Sequence, residues 1–273
     1  MRMAKWIGLA LAAIVVLVLG AAAYVWFSGG SGEPSTEVTA PPITSAATTS
    51  AATTTPTTTA PSTTAATSVP VETTAAPDTT EATEPAPGEG PTAVLYRIDK
   101  AESSVSFEID EILNGNPFRV VGVTTEVAGE VLIDFDSPAA SQLGTIVINV
   151  RTLATDSGFR DRAIRGPILG SSRDENEFAT FEPTDVEGLP DSVTVGDEVP
   201  LRIAGTFSLS GESRPVTFDT AVTVVSADRV EVTGTAMVLR SDFGLTIPDV
   251  PSVSDVGDEI LLVIDLVAVA AGA

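Results

Sequence analysis

The C-terminal two thirds of the chain alternate apolar and polar residues with the period of a β-strand. In the stretch VSFEI, Val105, Phe107 and Ile109 fall on one face, and Asn114 and Gly115 then offer a hairpin turn. The pattern recurs in FRVVGVTTEV, EVLIDFD, TIVINV, PLRIAGTFSLS, RPVTFDTAVTVV, RVEVTGTAMVL and EILLVIDLVAV. This spacing predicts about eight strands joined mostly by short turns.

Strands of this kind predict an all-β domain, either a two-sheet sandwich or a closed antiparallel barrel. Periodicity does not distinguish the two. An eight-stranded barrel can enclose one small ligand, whereas a sandwich fills its interior with side chains.

Residues 152–181 interrupt the alternation, and the stretch FRDRAIRG within them has helical spacing. It predicts a short helix capped by Asp156 or Ser157.

The N-terminus carries an uncharged, apolar run from Ile7 to Phe27. As an α-helix this run would span about 31 Å, close to the thickness of a bilayer core. Because the flanking basic residues precede it, residues 1–27 are predicted to form a membrane anchor with the rest of the chain outside the cytoplasm. The alternative is a cleaved signal peptide with Ala21 and Ala23 at its cleavage site.

Residues 28–93 are dominated by Thr, Ala, Pro and Ser, as in AATTTPTTTAPSTTAATSVP, and they contain no aromatic residue. Such a composition cannot bury enough apolar area to offset the loss of chain entropy. It predicts a disordered linker that could hold a folded domain, residues 94–273, away from the membrane or through a cell-wall layer.

Composition also excludes several kinds of site. The chain has no His and no Cys, so the commonest metal ligand, the commonest general base and any thiol nucleophile are missing. We therefore expect no metal site and no cofactor. A formal net charge of −23 argues against nucleic acid as a partner, because binding a phosphate backbone requires a basic face.

The folded region contains, in this order, YRID, SSVSFEI, VVGVTTEVAGEVLIDFD, TDSGFRDRAI, FATFEPTDV, GTFSLSGESRPVTFDTAV and LRSDFGLTIPDVPSVSDVGDEILLVIDL. This order, from Tyr96 to about Val267, resembles the YceI-like, polyisoprenoid-binding family. The resemblance implies an extended, lipocalin-like antiparallel β-barrel. It further implies an apolar tunnel for an isoprenoid chain, such as a quinone tail or a polyprenyl phosphate.

The resemblance also implies a periplasmic or secreted protein with no established catalytic reaction. This chain departs from the family pattern at one point that concerns contacts with the ligand's head group. Members of the family often carry His beside the first strand and at its end, where this chain has Glu102 and the segment EIDEIL. A head-group contact that depends on those histidines does not transfer to this chain.

Five charged residues are candidates for a polar site: Arg160, Asp161, Arg165, Arg240 and Asp242. They could tie loops together through charge-assisted hydrogen bonds, with Arg240 and Asp242 as a pair at a strand end. Alternatively, an arginine of the predicted helix could lie at the tunnel mouth and neutralise a polar or phosphorylated head group. Acid–base catalysis by paired carboxylates is a third possibility, but nothing else in the sequence assembles around them.

The apolar candidates for the tunnel lining are large side chains that could equally fill a core. Phe178 and Phe181, beside the predicted helix, are the preferred walls. The full set is Phe107, Phe159, Ile168, Leu169, Phe178, Phe181, Phe207, Phe218 and Phe243.

The sequence thus predicts a non-enzymatic, extracytoplasmic domain that binds an isoprenoid or similar lipid. The leading alternative is a structural or interaction module displayed on a stalk, with no ligand. A hydrolase that uses carboxylates is a weaker alternative.

Overall fold

The computed structural model describes residues 32–43 and 93–272. The predicted anchor or signal peptide, residues 1–27, lies outside the described residues, as do residues 28–31 and 44–92 of the predicted linker. Within the described ranges, no helix is both long enough and apolar enough to cross a membrane.

The domain is built on one antiparallel sheet of thirteen strands within the described residues. The strands are β1 (Ala93–Ile98), β2 (Ser104–Leu113), β3 (Asn116–Thr124), β4 (Val127–Ala128), β5 (Glu130–Asp134), β6 (Gln142–Leu143), β7 (Ile146–Asn149), β8 (Phe178–Glu187), β9 (Glu198–Leu209), β10 (Glu212–Ser226), β11 (Arg229–Leu239), β12 (Val253–Ser254) and β13 (Glu259–Ala270). All the alternating segments found in the sequence form strands. The additional strands are β1, β8 and the two-residue strands β4, β6 and β12.

The order of the strands makes the sheet curl. Strands β7, β8, β9, β10, β11 and β13 are successive neighbours, and β13 then pairs with β2 through Leu262 and Phe107 and with β1 through Ala268 and Ile98. β2 pairs with β3, and β4, which follows β3, pairs back with β7. The first strands are thereby brought round to β7, which confirms an all-β, curled antiparallel fold.

One short α-helix within the described residues, α1 (Gly158–Ala163), confirms the helix predicted between the strands. It continues into one π-helical turn, Ile164–Ile168, which contains Pro167. Ser157 precedes the helix as predicted, but its side chain makes no capping hydrogen bond. The remaining helical elements are 3₁₀ turns at Pro138–Ala140, Val150–Thr152, Asp174–Asn176 and Arg240–Phe243.

The core is formed by apolar side chains that extend from alternate strand positions onto the concave side of the curled sheet. Phe181 and Phe218 meet edge to face with ring centroids 5.2 Å apart, and Phe207 and Phe243 do so at 5.6 Å. Each such buried ring stabilises the fold by roughly 1.5–3 kcal/mol through the apolar area it removes from water. A smaller cluster surrounds Tyr96, whose hydroxyl donates to the carbonyl of Ala227 at 2.6 Å.

Residues 32–43, which we call the strap, form no helix or strand and contact the domain through backbone hydrogen bonds. The backbone N–H of Ser35 donates to Glu177 Oε1 at 2.6 Å, and that of Ile43 donates to Glu130 Oε2 at 3.0 Å. These contacts tie part of the predicted linker to the folded domain. Carboxylates taken out of water need donors, and the strap's backbone supplies them.

Candidate functional site

The concave side of the sheet encloses a cavity of about 660 Å³. Its size falls within the roughly 300–1,000 Å³ typical of small-molecule sites. The lining is overwhelmingly aliphatic and aromatic, and it draws on β2, β8, β9, β10, β11, β13 and the helical segment. An apolar cavity of this kind favours an apolar ligand, because water inside it finds few hydrogen-bond partners.

Most of the aromatic and aliphatic residues singled out in the sequence border this cavity. They are Phe107, Phe159, Ile168, Leu169, Phe181, Phe207, Phe218 and Phe243. Phe159, from α1, is 41% exposed and lies at the rim, whereas Phe181 and Phe243 are buried. The residues come from distant parts of the chain, and the curl of the sheet brings them together.

Phe178 is placed differently from the prediction. It is the first residue of β8 and is not among the lining residues, whereas Ala179 and Phe181 are. Successive side chains of a strand point to opposite faces, so residues three apart cannot share a face. The two preferred walls, Phe178 and Phe181, therefore lie on opposite sides of the sheet.

One part of the cavity wall is charged. Arg160, on α1, donates from Nη2 to Glu111 Oε1 at 3.0 Å and pairs through Nη1 with Asp156. Its guanidinium also lies 5.3 Å from the ring centroid of Phe118, within reach of a cation–π interaction. Arg160, Glu111 and Asp156 all border the cavity. We call these three residues the charged mouth.

Glu111 was not singled out from the sequence, although a signal for it existed. Val105, Phe107 and Ile109 share the inward face of β2, and the next residue on that face is Glu111. Its exposed fraction is only 7%. An acid placed in phase with an apolar face is costly to bury unless a partner is provided, and Arg160 is that partner.

Asp161 and Arg165 hold the loop before the helix and do not border the cavity. The carboxylate of Asp161 accepts hydrogen bonds from the backbone N–H and the hydroxyl of Thr155, both at 2.7 Å. Arg165 donates to the carbonyl oxygens of Asp161 at 3.2 Å and of Arg151 at 3.3 Å. Of the three roles considered for these residues, the geometry fits the structural one.

Arg240 does border the cavity, but its donors are engaged. Nη1 donates to the carbonyl of Leu245 at 2.6 Å, and Nε donates to that of Gly257 at 3.3 Å. The nearest carboxylate is that of Asp258, at 3.8 Å, and not that of Asp242, which is exposed. The predicted pair of Arg240 and Asp242 is therefore replaced by a contact with the chain preceding β13.

A second buried polar group joins the strap to the sheet. Arg151 donates to Glu177 Oε2 at 2.9 Å and to the carbonyl of Glu33 at 3.1 Å, and Asn149 donates to Glu177 Oε1 at 2.8 Å. Burial acts to raise the pKa of Glu177, but the donors around its carboxylate, that of Ser35 first, outweigh burial and hold the pKa below its ordinary value. This group supports the fold beside the cavity wall, since neither Arg151 nor Glu177 lines it.

Glu130 forms the other junction with the strap, at a different point on the cavity wall. Arg97 donates to its Oε1 at 2.8 Å, and Ile43 donates to Oε2. The bond from Arg97, followed by that from Ile43, holds the pKa of Glu130 below its usual value. Across residues 32–43 and 93–272, no group of three or more acidic side chains is arranged to hold a metal ion.

An antiparallel sheet that curls round an apolar cavity defines a lipocalin-like class of domain. Within that class, the YceI-like domain model matches residues 96–268, and the chain belongs to the YceI-like domain family. The resemblance seen in the sequence is thereby confirmed. A comparison with curated proteins gives no match.

Several solved structures are similar to this chain at low sequence identity. A polyisoprenoid binding domain from Saccharophagus degradans, implicated in plant cell wall breakdown, matches with a TM-score of 0.53 and 15% identity over 65% of this chain and 99% of that chain. BcnA of Burkholderia cenocepacia matches with a TM-score of 0.47 and 19% identity over 62% and 98%. A YceI protein of Campylobacter jejuni matches with a TM-score of 0.45 and 17% identity over 56% of this chain and 85% of that chain.

Proposed function

We propose that this domain binds an isoprenoid or similar lipid, with the apolar chain lying in the cavity. The observation that carries the proposal is the cavity itself: about 660 Å³ enclosed almost wholly by apolar side chains, with charge confined to a few points on the wall. Apolar area is removed from water both on the lipid and on the protein when such a cavity is filled. The proposal includes closure of the curled sheet into an extended barrel of about eight strands, which the pairing of β4 with β7 supports.

Binding, not catalysis, is the proposed activity. The charged side chains that border the cavity are engaged by other charged side chains or by backbone groups, as at Arg160, Arg240 and Glu130. Such pairs position and balance charge, and they leave no activated nucleophile beside a base. The structure of the Saccharophagus degradans relative, a polyisoprenoid binding domain, shares this fold and is in keeping with the proposal.

The proposed location is outside the cytoplasm. It rests on the sequence alone, that is, on the apolar run of residues 1–27 with basic residues ahead of it. The predicted linker, residues 28–93, would then also lie outside the cytoplasm, with its strap segment, residues 32–43, held on the domain. Fractionation of cells with N-terminal sequencing tests this part, and a soluble mature chain beginning at Tyr24 would replace the anchor with a cleaved signal peptide.

Native mass spectrometry of the protein after mild extraction tests the lipid proposal. We expect the wild-type protein to retain lipid mass and Phe181→Trp to reduce it, more strongly for longer chains, because a larger ring occupies the cavity wall. Phe178→Trp is the matched control, since it makes the same change on the opposite face of the same strand. Circular dichroism shows whether each variant keeps its β-type spectrum.

The outcome also decides between a lipid-binding domain and a ligand-free structural or interaction module. Suppose that the wild-type protein carries no lipid and takes up no quinone, polyprenyl phosphate or polyprenyl alcohol at micromolar concentration. In that case a ligand-free module on a stalk becomes the better account. Equal lipid loss in Phe178→Trp and Phe181→Trp, with both folded, would contradict the assignment of the cavity as the binding site.

A further inference from the structure

We propose that the cavity selects isoprenoids with a neutral head group and disfavours polyprenyl phosphates. This inference rests on the proposed function and concerns only the class of ligand. It follows from the charges that border the cavity and from how each of them is already compensated.

The charged mouth has no surplus positive charge. Arg160 is the cation there, and it is bound by the buried carboxylate of Glu111 at 3.0 Å and by Asp156. The pair of Arg160 and Glu111 is already neutral. Asp156 adds a negative charge, which solvent partly screens because its side chain is 58% exposed. The mouth as a whole is therefore neutral to negative.

The other charges that line the cavity are compensated as well. Arg240 donates to two carbonyl oxygens and faces Asp258 at 3.8 Å. Glu130 is bound by Arg97 at 2.8 Å. Along the part of the wall that the structure describes, each cation that borders the cavity thus has a carboxylate within 4 Å.

A phosphate monoester would meet an unfavourable field in this cavity. It carries about 1.5 to 2 negative charges near neutral pH, and it is normally bound by arginines, lysines or helix N-termini that no carboxylate has neutralised. It could accept hydrogen bonds from remaining N–H groups of Arg160, but Glu111 and Asp156 already balance and exceed the charge of that guanidinium, so a phosphate there would meet net negative charge. The surrounding domain is itself acidic, with a net charge of −23 for the whole chain, which opposes the approach of an anion.

A neutral head avoids both costs. Within the described residues, Glu111 accepts a hydrogen bond at Oε1. Its second oxygen can accept one from a ligand hydroxyl, and the unused N–H groups of Arg160 can donate to a hydroxyl or carbonyl oxygen. The charged mouth can therefore orient an alcohol or a quinone without any change in its charge balance.

The test compares two lipids that differ only in the head, undecaprenol and undecaprenyl phosphate, each added to the purified full-length protein in detergent. We expect the wild-type protein to bind the alcohol and to bind the phosphate at least about tenfold more weakly. Glu111→Gln removes one negative charge and frees Arg160 from its buried partner. The ratio of the affinity for the alcohol to that for the phosphate, which we call the affinity gap, should therefore narrow roughly tenfold. Glu212→Gln, which removes a carboxylate paired with Arg214 outside the cavity, is the matched control and should leave the affinity gap unchanged.

Each outcome has a separate meaning. Phosphate binding as tight as or tighter than alcohol binding in the wild-type protein overturns the selection and leaves the lipid proposal standing. Failure to bind either lipid overturns the selection between these two head groups, and the lipid proposal falls with it if the protein also carries no lipid and takes up no quinone. The wild-type comparison decides the question even if Glu111→Gln fails to fold, which circular dichroism would reveal. If that variant folds and its affinity gap does not narrow, the role given to Glu111 is refuted.

Discussion

Replacing Arg151 by Met should destabilise the domain strongly, because it leaves a buried carboxylate without its cation. Arg151 and Glu177 have side chains only 5% exposed, and Arg151 Nη1 lies 2.9 Å from Glu177 Oε2. Met keeps much of the length and apolar character of the arginine stem but offers no donor. Glu177 would retain Asn149 and Ser35 as donors, but no positive charge.

The expected loss can be scaled from this geometry. Removing one partner of a buried ion pair costs about 3–5 kcal/mol in the free energy of unfolding. For a domain of this size, 1 kcal/mol corresponds to a shift in melting temperature of about 2–4 °C. We therefore expect the melting temperature of Arg151→Met to fall by roughly 6–20 °C. Asp174, which also binds Arg151, has a side chain 95% exposed, so Asp174→Asn should cost no more than about 1 kcal/mol.

The pH dependence gives an independent check on the mechanism. In the wild-type protein the pKa of Glu177 lies below its ordinary value of 4.5. Its contribution to stability is therefore fully present above 4.5 and is lost as the pH falls through the lowered folded-state value. Without Arg151 that pKa should rise, so the deficit of Arg151→Met relative to the wild type should shrink on acidification.

Thermal and urea unfolding followed by circular dichroism measure these differences. The double variant Arg151→Met with Glu177→Gln should recover part of the loss, because the unpaired charge has been removed. A loss below about 1 kcal/mol in Arg151→Met would refute the reasoning. So would a double variant no more stable than Arg151→Met itself, or a deficit that grows on acidification.

Two further changes test the cavity wall and the strap. A Cβ at Gly122 would lie 2.6 Å from Cζ of Phe107, so Gly122→Ala should push that ring into the cavity. In a lipid-retention assay, this variant should bind long-chain lipids less well, with a smaller effect on short-chain lipids. Gly158→Ala is the control and should leave lipid binding unchanged, because a Cβ there meets nothing within 4 Å. A chain starting at Val94 lacks the strap and its hydrogen bonds to buried carboxylates, so its melting temperature should fall by a few degrees, for a loss of about 1–3 kcal/mol. An unchanged value in calorimetry would show that the strap contributes nothing to stability.

The sequence by itself determined the local structure of the domain. Alternation with period two depends only on which residues are apolar, so segments such as 201–209 and 259–267 could be assigned to strands without any knowledge of their partners. The helical spacing of FRDRAIRG predicted α1 for the same reason. The ordered series of segments identified the family, and several inward-facing phenylalanines followed as candidate walls.

Only the tertiary structure decided which residues meet. Arg160 and Glu111 are separated by 49 positions, and strand pairing together with the placement of α1 brings them to one point on the cavity wall. Arg240 faces Asp258 because the chain before β13 passes beside it, whereas its neighbour in sequence, Asp242, points into solvent. Contacts of this range depend on sheet order and register, which no local pattern contains.

The phase of β8 and the docking of the strap were also decided in three dimensions. The register of β8 against β9 pairs Phe181 with Phe207 and leaves Phe178 on the other face, a distinction that the composition of FATF could not supply. The strap has no strand-like alternation of its own. Its backbone N–H groups donate to Glu177 and Glu130, adding to the donors that Arg151 and Arg97 already supply to these largely buried carboxylates.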